Sequence, residues 1–172
     1  MLHRFDRFSE LDGRKLMDLY GESNRENAED FYPDADAAVG TARVEESFLA
    51  FLRDEFLPKP ENTYWVWEED GVYLCALRLT EFNDRLFYLE ALETHPAFRR
   101  RGCSEKLFSA VIDALKSGGP FRICDCVSKN NVPSIAAHQK TGFRIVSDSG
   151  YDYPGQTSKD HEYSFAYRYD GK

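Results

Sequence analysis

Apolar residues follow two different spacings along this chain, and the most informative change of spacing falls in its second half. Residues 86–92 (LFYLEAL) are nearly all apolar, which is typical of a strand covered on both faces. Pro96 ends this strand, because proline cannot donate to a ladder hydrogen bond. A helix begins near Ser104, and its apolar residues recur at helical spacing to form one face: Leu107, Phe108, Val111, Ile112 and Leu115.

The N-terminal half predicts three strands and two helices. The strands cover residues 3–8, 62–68 and 72–80, and the helices cover residues 10–20 and 44–57. Ser9 is the expected cap of the first helix. Asp70-Gly71 is a strong hairpin signal between the second and third strands. Residues 22–39 are polar, acidic and interrupted by Pro33, so we expect a loop there, with room for a turn of helix.

The C-terminal half predicts a strand over residues 121–127 after the helix that begins near Ser104. Strand, helix and strand without a hairpin imply a right-handed crossover and a parallel pair. Asn130 or Asn131 caps a short helix that ends at Gly142. Residues 143–146 and 161–169 are further strands, and the polar residues 147–160 between them are predicted to form a mobile loop.

These elements predict a single domain over residues 1–172 of the α/β (α+β) class. Its mixed central sheet has about seven strands and is flanked on both faces by about four helices. With 172 residues, 42% of them hydrophobic and 15% aromatic, the chain can bury a substantial core.

Composition and charge narrow the function. No apolar run approaches membrane-spanning length, and the first fifteen residues lack the apolar core of a signal peptide, so we expect a cytoplasmic protein without a membrane partner. A formal net charge of −8 argues against nucleic acid as a partner. The four cysteines show no zinc-like spacing, so no metal is expected and the thiols are interpreted as reduced and structural.

The link between the 86–92 strand and the next helix is a candidate phosphate site. Backbone N–H groups at a helix start have no partner within the helix, and the helix dipole adds positive charge there. Gly102 lets a ligand approach the main chain closely, and the arginines before it supply charge-assisted donors. A solvated basic turn is the alternative interpretation.

Two motifs carry a family resemblance. Arg99-Arg100-Arg101-Gly102-Cys103-Ser104 resembles the Arg/Gln-x-x-Gly-x-Gly/Ala signature of the GNAT N-acetyltransferases, with Ser104 in place of the usual glycine or alanine. Residues 131–143 (NVPSIAAHQKTGF) resemble the second signature, Asn-x-x-Ala/Ser-x-x-x-Tyr-x-x-x-Gly-Phe, with His138 in place of the tyrosine. The resemblance covers about residues 86–146 well, and the N-terminal half only by element order.

The resemblance implies a GNAT fold and an N-acetyltransferase that moves the acetyl group of acetyl-CoA to a primary amine by direct attack. The coenzyme's pyrophosphate is expected on residues 99–104, at Arg99, Arg100, Arg101, Gly102, Cys103 and Ser104. The main chain near Leu92 and Thr94 is expected to bind the thioester and pantetheine, and Asn131 to touch the pantetheine. The strand over residues 86–92 and the next strand, residues 121–127, are expected to separate and admit the coenzyme between them.

Glu90 is the candidate general base. It is a carboxylate inside an otherwise apolar strand, where an unpaired charge is costly. Burial of a carboxyl group favours its protonated form, which suits removal of a proton from an ammonium group. Two alternatives remain open: Glu90 pairs structurally with an arginine such as Arg78, or Glu93 serves instead.

His138 is the candidate acid for the departing thiolate of coenzyme A, in the position that tyrosine occupies in most relatives. A histidine with a pKa near 6.5 can donate a proton, although it is partly deprotonated at neutral pH. His138 as a cofactor contact, or as an ordinary helix residue packed near Phe143, are the alternatives.

The acceptor is expected to be a small-molecule or peptidyl amine. A field of carboxylates favours a cationic acceptor, and a solvated acidic surface explains the same residues without a ligand: Glu22, Glu26, Glu29, Asp30, Asp34, Asp36, Glu45 and Glu46. The aromatic residues Tyr20, Phe31, Tyr32, Trp65 and Trp67 line either a pocket or the core. A homodimer is left open, and the alternative function is a non-catalytic GNAT-fold module that binds acyl-CoA.

Overall fold

A computed structural model describes residues 1–171, so Lys172, the last residue of the predicted domain, lies outside the described residues. Nine strands are present: β1 (Leu2–Phe5), β2 (Asn62–Glu69), β3 (Val72–Glu81), β4 (Leu86–Thr94), β5 (Phe121–Ser128), β6 (Arg144–Ser147), β7 (Gly150–Asp152), β8 (Thr157–Lys159) and β9 (Glu162–Tyr169). Seven of them form one mixed sheet in the order β1-β2-β3-β4-β5-β9-β6, and β7 pairs with β8 separately. The predicted mixed sheet of about seven strands is confirmed.

Helices cover both faces of this sheet. They are α1 (Gly13–Leu19), α2 (Gly21–Phe31), α3 (Ala37–Phe51), α4 (Cys103–Lys116) and α5 (Val132–Lys140), five where about four were predicted. A π-helical segment, Leu52–Phe56, continues α3. None of the helices within residues 1–171 combines the length and the apolar character needed to cross a membrane.

Each face of the sheet has its own apolar core. One core joins the apolar face of α4 to β3, β4 and β5, and includes Leu107, Phe108 and Val111 from the predicted helical stripe. The other joins α1 and the end of the α3 segment to β2 and β3, and it buries Leu16 and Leu19 of α1. Sheet strands buried on both faces explain the continuous apolar runs of the sequence.

The prediction of a loop over residues 22–39 was wrong. Most of that stretch is α2 and the start of α3, which begins at Ala37 with Asp36 as its cap; the side chain of Asp36 accepts from the amide of Ala38 at 2.9 Å. Only Asn24 and Ala28 are buried in α2, so its apolar spacing is too sparse to indicate a helix. α2 packs closely on α3, where a Cβ at Gly40 would lie 3.4 Å from the Cβ of Ala28.

The first helix is shorter than predicted and has a different cap. β1 ends at Phe5 and a 3-10 turn, Phe8–Glu10, precedes α1. Asp12 rather than Ser9 caps α1, accepting from the amides of Arg14 and Lys15 at 3.1 Å. Local competition between nearby capping residues explains the error, since both types are favoured N-caps.

The predicted mobile loop over residues 147–160 contains a small hairpin, β7 and β8. Tyr153 at its tip contacts Phe82 and Tyr88, with ring centroids 5.9 and 5.6 Å apart. The hairpin therefore packs through aromatic contacts. Its strands are too short and polar for the sequence pattern to predict them.

β4 and β5 are parallel neighbours for three residue pairs only. Pairing runs from Leu86 opposite Arg122 to Tyr88 opposite Cys124 and then stops, while β4 continues to Thr94 and β5 to Ser128. The predicted parallel pair is therefore present, and the two strands lack a ladder along the rest of their lengths.

A β-bulge interrupts β4 on its other side. Ala76 pairs with Glu93 and Arg78 with Glu90, so Ala91 and Leu92 together oppose the single residue Leu77. Ala91 has a φ of 53°, in the left-handed region that the first residue of such a bulge adopts. The bulge changes which face each later side chain of β4 occupies.

Two valines on strands differ only in burial and provide a test of the core. Val66 on β2 is 0% exposed and Val146 on β6 is 63% exposed. Val66→Ala should lower the free energy of unfolding by about 2 kcal/mol, through lost burial and an unfilled cavity. The melting temperature should fall by roughly 4–8 °C, while Val146→Ala should change stability by no more than about 0.5 kcal/mol. Equal effects of the two variants in thermal and denaturant unfolding would contradict this core assignment.

Candidate active site

The start of α4 presents unpaired backbone donors. Gly102 is its N-cap, with a φ of 74° in the left-handed region and no side-chain cap. The first intrahelical bond runs from the amide of Lys106 to the carbonyl of Gly102, and the amides of residues 102–105 have no hydrogen-bond acceptor within residues 1–171. A Cβ at Gly102 would find its nearest neighbour 3.9 Å away. That neighbour is a carboxylate oxygen of Glu105, and the space beside Gly102 is otherwise open, as an anion-binding helix start requires.

The three arginines before Gly102 have different surroundings. The guanidinium of Arg99 forms ion pairs with Glu22 and Glu93, and its Nε donates to the carbonyl of Thr94 at 3.3 Å. Arg101 lies 5.2 Å from the centroid of the Phe98 ring. The sequence left open which arginines use their side chains, and the guanidinium of Arg99 is engaged by the protein itself.

Arg100, Cys103 and Ser104 complete the predicted loop. Arg100 is exposed and has a φ of 63°. Cys103 is buried and its thiol donates to the carbonyl of Phe98 at 3.5 Å, so this side chain faces the core. Ser104 is half-buried in the first turn of α4. These residues bring main-chain groups rather than a cluster of side chains to the site.

The end of β4 lies beside this loop. Glu93 accepts from the hydroxyl of Ser23 at 2.6 Å and from the backbone amide of Thr94 at 3.1 Å. The predicted main-chain donor at Thr94 is therefore engaged by the neighbouring carboxylate. Leu92 packs against the α4 side of the sheet.

Glu90 and Glu93 lie on the same face of β4. Glu90 forms an ion pair with Arg78, Nε to Oε2 at 3.4 Å, and the guanidinium of Arg78 lies over the ring of Phe51 in the helical layer. Glu93 contacts Ser23 on α2, in that same layer. Residues three apart in a regular strand face opposite sides, and the bulge between these two brings both carboxylates to the α1–α3 side.

The ion pair of Glu90 with Arg78 is the structural alternative that the sequence analysis left open. The side chain of Glu90 keeps 28% of its surface exposed, so the pair is not sealed in the core. A partly accessible carboxylate can form an ion pair with an arginine and also exchange a proton with a bound amine. The contact with Arg78 is therefore compatible with either role of Glu90.

His138 is buried, with 0% of its surface exposed, among aromatic rings. Its centroid lies 4.8 Å from Phe108 and 5.2 Å from Phe143. One ring nitrogen, Nε2, lies 2.5 Å from Oδ2 of the buried Asp125, and the other, Nδ1, lies 2.7 Å from the carbonyl oxygen of Ser134. Both ring nitrogens have partners within the described residues and the ring is buried, which favours the alternative of a packed helix residue near Phe143.

The interaction between His138 and Asp125 favours retention of a proton on this pair. Burial lowers the pKa of His138, but the hydrogen bond and charge of Asp125 outweigh that effect and raise the pKa above the usual value for histidine. Burial raises the pKa of Asp125, against the opposing influence of His138. Both shifts mean that the folded protein binds the shared proton more tightly than the unfolded chain does.

Asn131 is the cap of α5. Its Oδ1 accepts from the amide of Ser134 at 3.1 Å, and the residue is exposed. Of the two asparagines considered, Asn131 takes the capping role. This contact leaves its amide nitrogen available, so capping and a cofactor contact are compatible.

The acidic stretch around α2 is mostly solvent-exposed. Glu22 pairs with Arg99 and Asp36 caps α3, whereas Glu26, Glu29 and Asp30 are exposed on α2. Of the aromatic candidates, Tyr20 and Trp65 are core residues and Phe31 is exposed. A solvated acidic surface thus accounts for much of this stretch.

Sequence reasoning did not find the bulge at Ala91 or its partners. The Tyr20 hydroxyl donates to the carbonyl of Ala91 at 2.5 Å, and Tyr64 donates to Tyr20 at 2.8 Å. Nothing in the string LEALET marks a bulge, because the glycine usual at its first position is replaced by alanine.

One family model and several known proteins match this chain. The model of the acetyltransferase (GNAT) family matches residues 14–143. The peptidyl-lysine N-acetyltransferase YiaC of Escherichia coli is 31% identical over 104 residues, which are 60% of this chain and 64% of that relative. The matched part spans less than two thirds of the relative's length.

Solved structures share the fold. The PaiA N-acetyltransferase of Thermoplasma acidophilum, in complex with coenzyme A, superimposes with a TM-score of 0.66 at 13% identity and covers 98% of this chain and 99% of that one. The N-acetyltransferase PseH of Campylobacter jejuni, in complex with acetyl coenzyme A, gives 0.60 at 15% identity, with coverage of 98% and 99%. At such identities the likeness is one of fold, and it confirms the fold that the motifs implied.

The His138–Asp125 pair predicts a pH-dependent stability. A histidine whose pKa is raised in the folded state stabilises that state. This contribution to the free energy of unfolding is complete below about pH 6.5, the unfolded-state pKa, and is lost as the pH rises through the raised pKa. His138→Gln should therefore be less stable than the unchanged protein at about pH 6, and the difference should shrink as the pH rises through the raised pKa of His138. Denaturant unfolding across this range measures it.

His161→Gln is the control for that experiment, because the side chain of His161 is 76% exposed and lies 3.7 Å from the carboxylate of Glu162. Surface substitutions change stability by no more than about 0.5 kcal/mol. A difference for His138→Gln that stays constant with pH would show that the pair does not bind its proton more tightly in the folded state.

Proposed function

The chain belongs to the acetyltransferase (GNAT) family, and from this membership we propose that it transfers the acetyl group of acetyl-CoA to a primary amine. The proposal rests on the arrangement of the main chain at the start of α4. Unpaired amides over residues 102–105 follow the end of β4, where the strand has no β5 partner, and Arg99 binds the carbonyl of Thr94 there. Such amides suit the coenzyme's pyrophosphate, and an unpaired strand edge suits the extended, amide-containing pantetheine.

The pyrophosphate contact is assigned to main-chain groups of Gly102, Cys103 and Ser104, assisted by the exposed side chains of Arg100 and Arg101. Arg99 has a different part, because its guanidinium connects Glu22 on α2 to Glu93 on β4. Asn131 is assigned to the pantetheine through its free amide nitrogen. Leu92 supplies the main-chain donor for the thioester oxygen, since the amide of Thr94 already has a partner.

Direct attack by the amine is favoured over a covalent enzyme intermediate. In direct attack the amine nitrogen bonds to the thioester carbon, the C–S bond breaks, and coenzyme A leaves as its thiolate. A cysteine nucleophile needs a lowered thiol pKa. Burial instead raises the pKa of every cysteine here, to about 12 for Cys75 and above the usual value for Cys103, Cys124 and Cys126.

The general base is proposed to be Glu90, with Glu93 as the competing carboxylate. Both face the α1–α3 layer, and Glu90 is bound by one arginine whereas Glu93 accepts from Ser23, from the amide of Thr94 and from Arg99. A carboxylate with fewer donors is freer to take a proton. The acceptor class is proposed to be a cationic amine, a peptidyl lysine first, because the similar YiaC is named for that substrate and the surface around α2 is acidic.

Coenzyme binding is tested with two matched glycines. Gly102 and Gly71 have φ values of 74° and 77° and open space beside them, so an added side chain strains both backbones alike. Acetyl-CoA at about 100 times its dissociation constant should raise the melting temperature by roughly 5–10 °C. Gly102→Asp should abolish this rise through a carboxylate placed among the phosphate donors, and Gly71→Asp, in the β2–β3 turn, should retain it. A rise that survives Gly102→Asp would exclude the pyrophosphate assignment.

The base is tested by release of free thiol with a panel of amines, including a lysine peptide and a polyamine. Glu90→Gln should lower kcat by about 10²–10⁴-fold, the usual contribution of a general base, with KM for acetyl-CoA nearly unchanged. Glu93→Gln is the matched variant and should retain more activity. A larger loss for Glu93→Gln would transfer the role to Glu93, and acetyl-CoA binding without thiol release on any amine would favour the non-catalytic module.

A further inference from the structure

Ala91 has an unusual backbone conformation for its position. Of the six non-glycine residues with positive φ within residues 1–171, Ala91 alone lies inside a strand, and the others are in turns or loops. A residue with a Cβ disfavours this conformation, and it persists only where the surroundings impose it. The contacts of Ala91 therefore explain why it adopts this conformation.

Two buried tyrosines hold this residue. The Tyr20 hydroxyl donates to the Ala91 carbonyl at 2.5 Å and accepts from the Tyr64 hydroxyl at 2.8 Å. Tyr64 is on β2 and Tyr20 lies at the junction of α1 and α2, so the chain of hydrogen bonds joins the helical layer to β4. Burial raises the pKa of Tyr20 well above its usual value, which keeps the hydroxyl protonated and able to donate.

The direction of the Ala91 carbonyl sets that of the next amide. A trans peptide is planar, and its C=O and N–H point in opposite directions. Because the Ala91 carbonyl points to Tyr20 in the α1–α3 layer, the N–H of Leu92 points away from that layer. The bulge places Ala91 and Leu92 opposite the single residue Leu77. The C=O and N–H of the peptide between Ala91 and Leu92 therefore need not point along the hydrogen bonds of the regular ladder.

We propose that Tyr20 is a positioning residue that aims the Leu92 amide at the thioester oxygen of the acyl donor. Tyr64 supports it by fixing the orientation of the Tyr20 hydroxyl. This inference rests on the proposed acetyl transfer, in which negative charge develops on the thioester oxygen and a fixed donor stabilises it. A donor that is already aimed before the reaction needs no reorganisation during it.

A purely packing role for Tyr20 is the competing explanation. Its ring meets Phe48 edge-on, with centroids 5.2 Å apart. The two explanations differ at residue 91: glycine adopts positive φ without a Cβ penalty and can keep the bulge when the tyrosine hydroxyl is absent. Packing of Tyr20 cannot be restored by a change at Ala91.

The experiment compares Tyr20→Phe, Ala91→Gly and the double variant, with Tyr73→Phe as the matched control. Tyr73 is buried in the same core, and its hydroxyl accepts from the amide of Asp12 at 3.4 Å rather than binding β4. Complete loss of an oxyanion donor lowers kcat by about 10²–10³-fold. We expect Tyr20→Phe to lower kcat by about tenfold, with KM for acetyl-CoA changed by less than about twofold, and the double variant to recover most of the loss. Tyr73→Phe should retain kcat.

Amide hydrogen exchange of residues 89–94 in the unliganded protein gives a second readout that needs no activity. Tyr20→Phe should accelerate exchange in this segment, and adding Ala91→Gly should not accelerate it further. The inference is overturned if Tyr20→Phe leaves kcat and exchange unaltered, or if the double variant shows no recovery of kcat. An inactive unchanged protein would refute the proposed function, and the exchange result alone would then decide whether Tyr20 holds the bulge.

Discussion

The short parallel ladder between β4 and β5 is the constraint on which the rest of the structure depends. A sheet gains stability from continuous pairing, yet these strands pair only as far as Tyr88 and Cys124. Each strand must then be held by its other neighbours. β5 pairs with β9 along its length, and β4 pairs with β3 apart from the bulge. The opening is therefore bordered by two strands that are each fixed from outside, as a preformed binding site requires.

Buried polar contacts fix both borders of this opening. On one side Tyr20 binds the main chain of β4, and on the other His138 of α5 binds Asp125 of β5. A buried polar group without a partner is costly, so each contact specifies one position of its strand. The salt bridges of Arg99 add a third connection, between α2 and the end of β4. An acidic chain thus uses Arg99, one of its three consecutive arginines, to connect two elements of the fold.

The sequence predicts those parts of the site that depend on local spacing. The apolar strand, the glycine at the start of α4 and the stripe from Leu107 to Leu115 are read from neighbouring residues, and the structure has them at those places. It does not predict α2, since only Asn24 and Ala28 are buried there, or the bulge, since alanine stands where glycine would signal it. The orientation of His138 depends on Asp125, thirteen residues earlier on another element, and no spacing rule reports such a contact.

The burial of His138 bears on which proton transfer the proposed reaction needs most. A lysine-type ammonium has a pKa of about 10.4, so at neutral pH its proton must be removed against roughly three pKa units. A thiolate with a pKa near 8.5 lies within about two units of neutrality, and water can return its proton at small cost. A dedicated acid therefore contributes less than a base to such a reaction, and a buried histidine at the position of the usual tyrosine is compatible with the proposed transfer. In the proposed reaction, the more demanding proton transfer is therefore the one assigned to the carboxylates that the β4 bulge brings to one face.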